Sequence, residues 1–115
     1  MTPEIQVPVL DHSQAMARVG GDADLLKELA SLFVEEYPHL MTELQEAVTA
    51  GDSVGVERTA HGLKGAVANF GARQAVETAL QLEQLGRLGR LEPAADLLRA
   101  LDLVLMALRA ELVRL

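Results

Sequence analysis

The chain's 115 residues suit one domain, and half of them are apolar, enough to fill a single core. A formal charge of −7 argues against nucleic acid as a partner, since a phosphate backbone calls for clustered Lys and Arg. The absence of cysteine removes disulfides and thiolate metal sites and fits a reducing compartment. No run approaches the roughly 20 apolar residues of a membrane span. The start MTPEIQVPVLD has acid and proline where a secretory signal needs a basic head and an apolar run.

Leu and Ala dominate the apolar residues, and both are strong helix formers, so the chain reads as all-α. Residues 1–8 form an extended lead-in, with two prolines and no periodicity. Asp11 can cap a short helix that runs to about Ala17, and Gly20-Gly21 stops it. Asp22 or Asp24 then starts a long helix. Its stripe is Leu25, Leu26, Leu29, Leu32, Phe33, Tyr37, Leu40, Leu44 and Val48, at steps of three and four. Pro38 lies inside it and predicts a bend, because proline removes a backbone donor and crowds the preceding turn. The pattern resumes in phase, so one helix is expected up to Gly51.

Asp52 or Ser53 caps a third helix over about 53–69, with Val56, Ala60, Leu63, Val67 and Phe70 inward. Gly71 ends it. A fourth helix is expected over about 72–86, with Ala75, Val76, Ala79, Leu80, Leu82 and Leu85 inward. Gly86-Arg-Leu-Gly-Arg90 reads as a turn, since it lacks the spacing of a phosphate-cradling loop. Pro93 fits the first turn of a last helix, which continues to about 113 on a Leu-rich stripe. Four long amphipathic helices with short turns predict an antiparallel up-down four-helix bundle, with the short N-terminal helix across one end.

The segment Ala60-His-Gly-Leu-Lys-Gly-Ala-Val-Ala-Asn-Phe-Gly-Ala72 carries the chemistry. His61 precedes the inward Leu63 by two positions, roughly 200° around the helix, and therefore faces solvent. Arg58, Lys64, Gly65 and Ala68 share its side at helical spacing. Gly62 and Gly65 each cost about 1 kcal/mol relative to alanine inside a helix. They leave, with Ala68, a bare patch on which a second protein can approach the imidazole. A neutral imidazole is a nucleophile near neutral pH, and Lys64 stands where it can neutralise phosphoryl oxygens. Glu57 and His61 are too few ligands for a zinc site, and no metal site or resident cofactor is expected. His12 and His39 read as surface or capping residues.

The run His61-Gly-Leu-Lys64-Gly65, followed by Asn69-Phe70-Gly71-Ala72, resembles the signature of the histidine-containing phosphotransfer (HPt) domain. That signature is His, any residue, Leu-Lys-Gly, a small-residue spacer, then Gly-Ala. Val9-Leu10-Asp11, Gly20-Gly21-Asp22, Leu32-Phe33-Val34-Glu35-Glu36, Ala50-Gly51-Asp52 and Leu82-Glu83 are similar to other parts of the family, so the resemblance spans roughly 9–112. Gly62 departs mildly, standing where the family often has Ser or Thr. The resemblance implies that His61 is the phosphoacceptor, that Lys64 steadies the phosphoryl group, that Gly65 makes room for the partner and that Glu83 orients the imidazole.

It further implies response-regulator receiver domains and a hybrid sensor histidine kinase as partners, with Mg²⁺ supplied by the receiver. A monomeric, cytoplasmic, bacterial phosphorelay intermediate without kinase activity of its own is the expectation. The alternative is a bundle of the same shape that binds receiver or kinase domains without phosphotransfer.

Overall fold

The computed structural model describes residues 8–115, so the lead-in expected over 1–8 lies outside the described residues except for Pro8. Five helices are present: α1 His12–Arg18, α2 Ala23–Ala50, α3 Ser53–Ala68, α4 Arg73–Leu88 and α5 Ala94–Leu112. Three of them start on an aspartate that satisfies an orphan amide of the first turn. Asp11, Asp22 and Asp52 accept from the amides of Gln14, Leu25 and Gly55 at 3.0, 3.1 and 3.0 Å. α2 passes through Pro38 as one element.

The turns between the long helices are short, which forces antiparallel neighbours. α2 packs on α3, α3 on α4, α4 on α5, and α5 closes the ring against α2; the α3–α4 pair is the most intimate. The four inner stripes meet in one core that includes Leu44, Val56, Leu63, Val67, Leu82, Leu101, Leu105 and Leu108, all fully buried. The three aromatics join α2 to the end of α3: Phe33 stacks on Tyr37 at 5.3 Å and meets Phe70 edge-on at 5.6 Å.

α1 lies over the α3–α4 turn, where the Asp11 amide donates to the Phe70 carbonyl at 3.0 Å. Gly71 at that turn has φ +60°, and a Cβ there would stand 2.6 Å from Asp11 Cβ, so both the backbone and the covering helix require glycine. Among the described residues no helix is long and apolar enough to cross a membrane.

Two expectations need correcting. Leu25, Leu32 and Leu80, placed on inward stripes by their spacing, are exposed. Each lies roughly 100° or more from the centre of its helix's buried face, beyond the arc that a neighbour covers. The fourth helix also does not stop at Gly86; it continues to Leu88, and the turn begins at Gly89, whose φ is +69°. Gly86 is a buried helical residue. With two glycines three residues apart, only the second needed the left-handed conformation that ends a helix.

Candidate functional site

His61 projects from the middle of α3, and 69 % of its side chain is open to solvent. The core residues Ala60 and Leu63 on either side turn it outward. α4 runs antiparallel beside it and presents Glu83, whose carboxylate is almost wholly buried. Glu83 Oε2 lies 3.2 Å from His61 Nδ1 and 3.1 Å from an Arg87 terminal nitrogen, while Oε1 lies 2.6 Å from Lys64 Nζ. The Arg87 Nε–H donates to Glu57 Oε2 at 2.9 Å, closing a chain of charges across α3 and α4. A buried carboxylate is costly unless it is paired and hydrogen-bonded, and this one has both kinds of support.

The Lys64 ammonium holds the Glu83 carboxyl below its ordinary value; burial pushes the other way, and the contact with His61 adds to the lowering. Glu83 is therefore ionised near neutral pH and can only accept hydrogen bonds. That decides the tautomer of the ring: Nδ1 carries the proton and donates it to Glu83, and Nε2, on the solvent side, keeps its lone pair. The arrangement thus offers one exposed nucleophilic nitrogen, with an ammonium and a guanidinium beside it. The ammonium of Lys64 rests on Glu83 in this state, with 26 % of the side chain still exposed.

Arg58, Gly62 and Gly65 are exposed on α3, and Ala68 is half-buried against the groove lined by Asp11, Arg18 and Arg73. A Cβ on Gly62 or Gly65 would meet nothing within 4 Å. Neither glycine has a positive φ. The fold itself thus asks for glycine at neither position.

A turn over 86–90 hides Arg87 and its link to Glu57. The signal was present: Glu83 and Arg87 are four apart, the spacing of a helical ion pair, once the helix is extended past Gly86. Among the described residues no three His, Cys, Asp or Glu side chains come together as a metal site.

A family model described as Hpt domain matches residues 28–111. A search of solved structures finds histidine-containing phosphotransfer protein B (HptB) from Pseudomonas aeruginosa PAO1, to which the chain is similar with a TM-score of 0.87 and 26 % sequence identity, over 95 % of each chain. No curated protein sequence matches the chain.

Proposed function

The chain belongs to the Hpt domain family, and on that footing we propose that it carries a phosphoryl group on His61 Nε2 between receiver domains of a two-component relay. The observation that carries this reading is the exposed ring whose Nδ1 proton is held by a buried carboxylate. Nε2 attacks the phosphorus of a receiver's aspartyl phosphate. The N–P bond forms, the bond from phosphorus to the aspartyl oxygen breaks, and the carboxylate leaves with the electron pair. The ring becomes a phosphoimidazolium that keeps its Nδ1 proton, and the charge of Glu83 stabilises it. Return to a second aspartate uses the same groups in reverse.

Lys64 swings from Glu83 to the phosphoryl oxygens as their charge arrives, and Arg87 stays to hold Glu83. The receiver supplies Mg²⁺, and a hybrid sensor histidine kinase is the class of upstream donor. The chain acts as a cytoplasmic monomer.

Docking uses the face that the glycines leave bare. Going round α3 from His61, Gly65 comes at roughly 40°, Arg58 at 60° and Gly62 at 100°. Asn69, at roughly 80°, and Ala66, at roughly 140°, border a largely apolar groove of 210 Å³ completed by Leu29, Leu32, Phe33, Glu36 and Leu40 of α2 and by Phe70. Leu32, left exposed by the bundle, adds apolar area to this groove.

The test is transfer from a receiver domain labelled with ³²P. The chain takes up label that is acid-labile and alkali-stable, as a phosphoramidate is. A receiver that binds the chain and transfers nothing to it would indicate a binding-only bundle.

Three variants separate these roles. Lys64→Ala slows transfer by about 10- to 100-fold, the scale of one charge-assisted contact to the reacting group, with the helical content unchanged; an unchanged rate would remove Lys64 from the reaction. Gly62→Ala and Gly65→Ala each raise folding stability by about 0.5–1 kcal/mol, read from urea midpoints, because they improve helix propensity in open space. Gly65→Ala also weakens receiver binding. Stabilisation with undiminished binding would mean that the bare patch is not the docking surface.

A further inference from the structure

We infer that Gly86 is a positioning residue, which sets the separation of α3 and α4 at which Glu83 reaches His61. The inference rests on the reading of His61 as the phosphoryl acceptor. Gly86 is helical and buried, and its φ is not positive, so the backbone conformation would accept any L-residue. What excludes a side chain is space. A Cβ would stand 2.5 Å from the amide nitrogen of Glu57, 2.7 Å from the Ser53 carbonyl oxygen and 3.0 Å from Glu57 Cα. All three are backbone atoms of α3 and cannot turn aside as a side chain would. Relief to ordinary contact requires the helices to part by about 1 Å.

The contact sits one turn from the site on both helices: Glu57 is four residues before His61, and Gly86 is three after Glu83. The His61–Glu83 hydrogen bond, at 3.2 Å, is at the outer end of the N–H···O range, and a retreat of about 1 Å breaks it. Lys64 sits at 2.6 Å on a long flexible stem and can follow the carboxylate. Opening the helix pair therefore selectively costs the ring its Nδ1 acceptor and leaves the ion pair in place. With the acceptor gone, Nδ1–H loses its preference and the Nε2–H tautomer, which has no nucleophilic lone pair on the solvent side, gains population.

The experiment is ¹⁵N NMR of the neutral His61 ring, together with transfer from a ³²P-labelled receiver, on Gly86→Ala, Glu83→Asp and Gly89→Ala. Glu83→Asp keeps the charge and shortens the reach by one C–C bond, about 1.5 Å. Gly89→Ala strains a residue at φ +69° whose Cβ would meet nothing closer than Ser53 Oγ at 3.9 Å, so it loses stability without crowding the backbone approach at Gly86.

Gly86→Ala and Glu83→Asp are expected to move the ring toward the Nε2–H tautomer and to slow transfer about tenfold or more. Gly89→Ala keeps the native tautomer. Should Gly86→Ala be unfolded in buffer, the osmolyte TMAO restores the compact state for the same reading, and Glu83→Asp reports the reach independently. A ring that stays Nδ1–H in either variant overturns the inference. A native chain that no receiver labels would instead remove the phosphoryl role, while the tautomer measurement would still report the spacing.

Discussion

His61→Gln ends phosphoryl acceptance, a loss of at least about 10⁴-fold, the scale on which deletion of a nucleophile acts. Glutamine is close in size, its amide can still donate to Glu83, and it has no nitrogen lone pair that attacks phosphorus. The fold should not notice: the side chain is mostly in solvent, and exposed substitutions change stability by about 0.5 kcal/mol or less. The thermal midpoint by circular dichroism and the ³²P label from a receiver are read on the same sample. The expected pair is an unchanged melt and no label. Label persisting on the variant would transfer the role to another side chain, His12 or His39 being the first to replace, and would sink the assignment of His61.

Glu83→Gln has the next largest effect, and it acts on rate and stability together. The neutral amide can still accept from Nδ1–H, but it offers no charge to a phosphoimidazolium, so transfer slows by about 10- to 100-fold. At neutral pH the variant also loses about 1–3 kcal/mol, because Lys64 and Arg87 face an uncharged group.

The pH dependence follows from the lowered carboxyl. A group whose pKa is lower in the folded chain contributes stability that is fully present above its unfolded value. That contribution is lost as pH falls from the ordinary 4.5 through the lower folded value. Native stability therefore declines in that acid window, and the glutamine variant lacks this component. Urea midpoints from pH 3 to 7 should converge as the pH drops below about 4.5. Two curves that run parallel through that window would show that Glu83 is not held ionised by the fold.

Much of the site could be read along one helix. His61 faces out because Leu63, two residues on, faces in, and this follows from the pitch of α3 alone. Gly62 and Gly65 stood out because they weaken a helix, and the open space at their missing side chains agrees with a demand from outside the fold. Only the resemblance to the HPt family points to Glu83, since an acid on an amphipathic helix looks the same whether it ends in water or under a neighbour. Arg87 is hidden because a Gly-Arg-Leu-Gly-Arg run satisfies the composition of a loop, and the burial of Gly86 against α3 is invisible in a linear pattern. Leu32 illustrates the opposite case: its spacing places it in the core, although the bundle leaves it to solvent on the groove shared with the end of α3.

The positions of the helices, the three aspartate caps, the outward turn of His61 and the bare glycine face can be read from the order of amino acids, because each depends on hydrogen bonds and angles within a few residues. Which charges meet depends instead on how the helices pack. His61 and Glu83 are 22 residues apart, and Glu57 and Arg87 are 30 apart. Whether such groups touch depends on the axial register and separation of α3 and α4. Those are set by the sum of many weak contacts across the pair and by a backbone approach at Gly86 that a single methyl group would prevent.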